Sequence, residues 1–144
     1  MNGECNMRSV SRHYYTLFAL SLALLIHTRS FADEPLYVIS NSSITLSPSD
    51  INEIFSGEKQ LVGSVKIAPS DNKSIQNIFL SKALGITVTK YNSGWDKRAF
   101  RDGMTKPESL SSDPLVIEFV KLNRGGVGYI ASQPPSGVNL IKKY

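Results

Sequence analysis

The chain has 144 residues, with 16 Lys or Arg, 12 Asp or Glu and two His, giving a formal charge of +4. That length suits one domain around one core, and a single cysteine excludes a disulfide-stapled scaffold. Half of the excess positive charge lies in the first 32 residues, so the bulk of the chain is close to neutral.

Arg8 and Arg12 precede an apolar run of ten residues, LFALSLALLI, Leu17–Ile26, and Ser30-Phe31-Ala32 follows with small residues at the two positions a signal peptidase reads. Residues 1–32 are expected to be a secretory signal peptide cleaved after Ala32. Ten apolar residues are too few for a membrane span, which needs about 20. Cys5 lies ahead of the apolar run and is not placed to be the lipidated first residue of a mature lipoprotein. The expected mature chain, Asp33–Tyr144, is 144 residues less 32, or 112. It loses three basic residues and one acidic residue, so 16 and 12 become 13 and 11 and the net charge falls to +2. A nucleic-acid partner loses its electrostatic support. His13, His27 and Cys5 all leave with the signal. That excludes Ser-His and Cys-His nucleophile pairs, thiol redox chemistry and structural zinc. No enzyme, metal site or cofactor is expected.

In chain order, Pro35–Ser40 (PLYVIS) reads as a strand. Asn41-Ser42-Ser43 fits a glycosylation sequon, relevant only in a eukaryotic secretory pathway. Ser47 is a good N-cap, Pro48 suits a first helical position, and Asp50 sits where free N–H groups need an acceptor. Ile51, Ile54 and Phe55 then share one face and Gly57 ends the helix. Residues 57–63 read as a loop and Val65–Ala68 as a second strand. Pro69–Ser74 (PSDNKS) reads as a polar elbow into an amphipathic helix, residues 75–84, that stops near Gly85. Thr89–Ser93 reads as a helix entry, with Trp95 and Phe100 expected in the core. MTKPESLSS reads as a polar loop. Ser112 or Asp113 is expected to cap a helix with Pro114 in its first turn and Leu115, Val116, Phe119, Val120 and Leu122 as its buried stripe. VGYIAS is a strand, SQPPSG a turn and VNLIKKY a last strand. The order β-α-β-α-(α)-α-β-β predicts a three-layer α/β domain with a mixed sheet.

Three stretches invite a functional reading. At the elbow, the unsatisfied N–H groups of a helix start suit phosphate or sulfate, with Ser70, Lys73 and Ser74 as further donors. On local chemistry alone the elbow reads more readily as a helix cap, in which Asp71 or Asn72 accepts from those N–H groups and fills the site itself. Lys97, Arg98, Arg101 and Lys106 form a basic cluster, but Asp96 and Asp102 interleave with it, which reads as a solvated helix face. Gly125, Gly126 and Gly128 precede or enter a strand at the wrong spacing for a dinucleotide fingerprint and read as a tight turn with close packing.

SPSDINEIFSGEKQL, VKIAPSDNKSIQNIFLSKALG, the segment containing Trp95 and PLVIEFVKLNRGGVGYIAS, in this order, resemble the phosphate-binding proteins of ABC transporters. The similarity is to the short exported members described as phosphate ABC transporter substrate-binding-like. It runs from about Leu36 to Ser132. It implies one lobe of a periplasmic-binding-protein type 2 fold and a periplasmic location. Phosphate-specific members read R-S-D-G-S-G-T at the elbow. Here Ser70 and Asp71 match, Pro69 replaces the arginine, Lys73 the next serine and Ile75 the threonine, and Asn72 and Ser74 stand where the glycines would be. The resemblance implies a weak oxyanion site built from Ser70, Asp71, Asn72, Lys73 and Ser74. The alternative is a lobe that has lost ligand binding and acts as an interaction module, docking an envelope protein or a second copy through the surface beside the elbow.

Overall fold

The computed structural model describes residues 34–144; the expected signal peptide, its cleavage point and Cys5 lie outside the described residues. Strand β1, Tyr37–Asn41, is buried along its whole length. Its alternation sends Val38 to one side and Tyr37 and Ile39 to the other, so both faces of the sheet must be covered. Helix α1, Asp50–Phe55, buries Ile51, Ile54 and Phe55 as its periodicity requires. Ser49, not Ser47, flanks its first residue, and Asp50 turns back to accept from the Ser47 N–H at 2.8 Å.

The segment after Gly57 holds a small hairpin, β2 (Leu61–Val62) and β3 (Val65–Lys66), paired antiparallel. Strand β4, Ala68–Asn72, follows. Helix α2, Gln76–Phe79, runs straight into a π-helical turn, Leu80–Leu84, closed by Gly85 in the left-handed conformation. Helix α3, Val88–Asp102, starts where the Thr87 hydroxyl accepts from the Lys90 N–H at 3.2 Å. Strand β5, Glu108–Leu110, lies inside the stretch expected to be a polar loop. Helix α4, Asp113–Leu122, has Pro114 in its first turn. Strands β6, Gly126–Ile130, and β7, Val138–Lys143, complete the chain.

The sheet order is β5-β4-β6-β1-β7. Strand β4 is parallel to β5 and β6, while β1 is antiparallel to β6 and β7. One sheet face carries Val38, Val127 and Tyr129 under α1, α2 and α3; the other carries Tyr37, Ile39 and Ile130 under α4. This is a three-layer α/β domain with a mixed sheet, as the element order predicts. The two ends of the described unit meet, the Tyr144 N–H donating to the Leu36 carbonyl at 2.9 Å.

Three large apolar side chains expected in the core are outside it: Phe100 is 96% exposed, Leu122 77% and Leu115 43%. The reason is angular. Helix α3 turns Tyr91 and Trp95 inward, four residues apart, and Phe100 falls on the far side of that stripe. Helix α4 turns Val116 and Val120 inward, which leaves Leu115 and Leu122 facing outward. The sequon asparagine, Asn41, is buried, and its amide donates to the Val120 and Lys121 carbonyls at 2.9 and 3.1 Å, closing the C-terminus of α4. Among the described residues no helix is long and apolar enough to cross a membrane.

Candidate functional site

The parallel strands β5, β4 and β6 end at one edge of the sheet, at Leu110, Asn72 and Ile130. In open α/β sheets this edge is where ligands gather, and the elbow leaves the sheet there. The elbow itself is shorter than the sequence predicts. Ser70, Asp71 and Asn72 belong to β4, pairing in register with Glu108, Ser109 and Leu110. Only Lys73–Ile75 forms the turn.

Strand alternation separates the first two candidates. Ser70 faces α4, and its buried hydroxyl donates to the Val127 carbonyl at 3.1 Å. There is room for it because position 128 is glycine; a Cβ there would lie 2.8 Å from the Ser70 Oγ and 2.5 Å from Val116 Cγ1. Asp71 faces α3. Its carboxylate is 5% exposed and accepts from the Tyr91 hydroxyl, at 3.1 Å to each oxygen, and from the Tyr129 hydroxyl at 3.1 Å. Burial pushes its pKa up from 3.8 to about 6, against the tyrosines and Gln76, whose hydrogen bonds favour the charged form. Burial and the Asp71 charge push both tyrosine hydroxyls well above their ordinary range, so they stay donors. Ser70 and Asp71 therefore look to opposite faces and do not converge on one ligand.

Asn72 ties the edge together. Its amide donates to Asp113 Oδ1 at 2.6 Å and to the Tyr129 carbonyl at 3.3 Å. Its carbonyl oxygen accepts from the Ser74 N–H at 3.2 Å and from the Ser74 hydroxyl at 2.6 Å. Asn72 is thus the residue that caps the elbow. Lys73 is exposed, and its backbone N–H donates to the Leu110 carbonyl at 2.8 Å.

The residue that sequence reasoning placed only as a cap candidate is central here. Asp113 Oδ2 accepts from the backbone N–H groups of Ala131 and Ser132, at 3.0 and 2.7 Å, while Oδ1 takes the Asn72 amide. Three donors at the carboxyl end of the parallel strands converge on a carboxylate, and that carboxylate is the chain's own. No short motif signals this; Asp113 and Asn72 are 41 residues apart.

Three of the four residues of the basic cluster are ion-paired at the surface: Arg98 with Glu58 at 3.5 Å, Arg101 with Asp102 at 2.7 Å and Lys106 with Asp96 at 2.7 Å. Gly125 and Gly126 are packing glycines, since an added Cβ would lie 1.9 Å from the Lys66 carbonyl oxygen and 2.8 Å from Val120 Cα. Among the described residues no group of three or more His, Cys, Asp and Glu is arranged to hold a metal ion. No family model, no curated protein and no solved structure matches the chain.

Proposed function

We propose that residues 34–144 form an exported, non-catalytic interaction module of the cell envelope, and that its elbow holds the fold together instead of a ligand. One observation carries this reading. The N–H groups of the elbow are already taken, Lys73 by the Leu110 carbonyl, Ser74 by the Asn72 side chain and Ile75 by the Asn72 carbonyl, and the Asp113 carboxylate, which takes the Ala131 and Ser132 N–H groups at the same sheet edge, repels an anion there. Ser70, Asp71, Asn72 and Ser74 are spent on internal hydrogen bonds in the same way. The basic and apolar pattern of residues 8–32 supports export.

Helix α4 begins at that edge; Pro114, half-buried Ile117 and exposed Leu122 line, with Pro135, a shallow concavity of about 510 Å³, and Leu115 is exposed on the same helix outside it. Exposed apolar surface of this kind, rimmed by Glu118 and Lys121, marks protein docking sites. The partner would be a protein presenting an apolar ridge.

Two measurements test the reading, both on the full chain expressed and processed by the cell. Calorimetric titration with phosphate is expected to show no saturable heat at millimolar concentration. A photo-crosslinking residue at position 122 or 115 is expected to give one discrete adduct, with none from exposed Ser81. An adduct at twice the chain mass identifies a second copy as the partner. Saturable phosphate binding that disappears in Lys73→Glu would return the function to an oxyanion site at the elbow. Absence of any adduct from 115 and 122 would remove α4 as the docking face.

A further inference from the structure

A concavity of about 230 Å³ lies between α1, the π turn after α2, and α3. Its walls are Phe55, Leu84, Ile86, Tyr91 and Trp95. The polar ends of the two large aromatics are used elsewhere, the Tyr91 hydroxyl on Asp71 and the Trp95 indole N–H on the Phe55 carbonyl at 3.0 Å. Carbon surface is what they leave for the pocket.

The mouth has a different chemistry. Lys90, Gly94 and Arg98 follow one another at four-residue spacing, so α3 stacks them on one stripe. A Cβ built on Gly94 would meet nothing within 4 Å. A mid-helix glycine is destabilising relative to alanine, and no close neighbour requires one here. The stripe is therefore a gap with a cation one turn to each side. Lys90 has no ion pair among the described residues, while Arg98 makes a 3.5 Å contact with the exposed Glu58 and its charge also acts on Asp102 one turn along α3. No carboxylate lines the pocket. One wall ends at Leu84, the last residue of the π-helical turn, a rare geometry that concentrates at functional sites.

We infer that this pocket binds a small apolar carboxylate, with its hydrocarbon body against half-buried Leu84 and Ile86, above the buried Tyr91 and Trp95 rings, and its carboxylate in the Gly94 gap between Lys90 and Arg98. The volume is below the roughly 300–1,000 Å³ of sites for drug-sized ligands, so the ligand is the size of benzoate or isovalerate. The site is independent of the α4 face and of the elbow, and stands whether or not α4 docks a partner.

Trp95 is the sole tryptophan of the chain, so its emission reports on the pocket directly. Benzoate and isovalerate are titrated into the full processed chain at millimolar concentrations, with benzamide as the uncharged counterpart. A saturable change is expected with both acids, and benzamide should bind about tenfold more weakly, the loss expected for a charge-assisted contact. Gly94→Leu should abolish the response while leaving the thermal midpoint unchanged or raised, because leucine is the better helix former. Lys90→Gln should weaken binding severalfold, and Lys142→Gln, exposed on the edge strand β7, should not change it. No saturable response to either acid, equal affinity for benzoate and benzamide, or binding that survives Gly94→Leu in a folded protein would each overturn the assignment.

Discussion

Replacing Asp71 with asparagine should make the protein more stable at neutral pH, and the size of the gain follows from how that carboxylate is held. Asp71 is buried beneath α3 with the Tyr91 and Tyr129 hydroxyls on its oxygens, Gln76 as a further donor and Lys106 as the cation whose charge acts on it. These favour the charged form but do not offset the desolvation, and the pKa rises from 3.8 to about 6. The sign follows from linkage. Below the unfolded value the carboxyl is protonated in both states, and its contribution to stability is fully present. Between that value and about 6 the unfolded chain has released its proton and the folded chain keeps it, so stability falls as pH rises. Above the folded pKa the loss is complete. At ~1.4 kcal/mol per pH unit, the rise from 3.8 to about 6 corresponds to about 3 kcal/mol. An asparagine keeps an acceptor for one tyrosine and offers a donor to the other, without a charge. Urea unfolding of wild type and Asp71→Asn, measured in steps from pH 4.5 to pH 8, isolates this group, since the other carboxylates cancel in the difference. The variant should gain on wild type by about 2 kcal/mol across that range, the first ~1 kcal/mol of the change falling below pH 4.5. A difference that is flat with pH would refute the reasoning, because it would mean that the buried carboxylate carries no desolvation cost.

Asp113→Ala should cost about 1–3 kcal/mol, since it strips the Asn72 amide and the Ala131 N–H of their acceptor. Phosphate should recover part of that loss, and more in the variant than in wild type at equal ionic strength, as read by denaturant midpoint. Phe79→Ala should cost about 3–5 kcal/mol in unfolding free energy, because the ring is fully buried, stacked on Tyr129 at 3.9 Å and edge-on to Phe55 at 4.6 Å. Gly128→Ala should cost at least about 1–3 kcal/mol, as its methyl would press on Val116 and the Ser70 hydroxyl; a melting temperature equal to wild type would mean the sheet and α4 have slack between them.

The alternation of strands and helices was legible in the sequence, and so was the inward face of α1, but the expected Ser47 and Ser112 or Asp113 caps are not formed: no side chain caps the start of α1 or α4. What misled was β4. A strand between parallel neighbours is ordinarily apolar, and APSDN reads instead as a turn. Its partner β5, ESL, is equally polar. The polarity makes sense only with the distant partners in place: Val127 and Tyr129 are 57 and 58 residues from the Ser70 and Asp71 groups that bond to them. Local chemistry could offer capping or anion binding at the elbow, and it correctly named Asn72 as a cap candidate. It could not reveal that Asp113 completes the arrangement. Phe100, Leu115 and Leu122 show the complementary weakness: apolar residues at roughly helical spacing look buried until the angle of the true inward stripe is known.

The bond between Tyr144 and Leu36 bears on how the domain yields to force. Tyr37 pairs with Lys143, so the first residues of β1 and the last of β7 lie side by side in an antiparallel ladder. Traction applied at residues 34 and 144 would act on the same end of that pair. Its hydrogen bonds would then open one after another, like a zip, instead of resisting together in shear. A protein held at both ends in this way would be mechanically soft, and β7 would peel away well before the parallel strands around β4 carried any load.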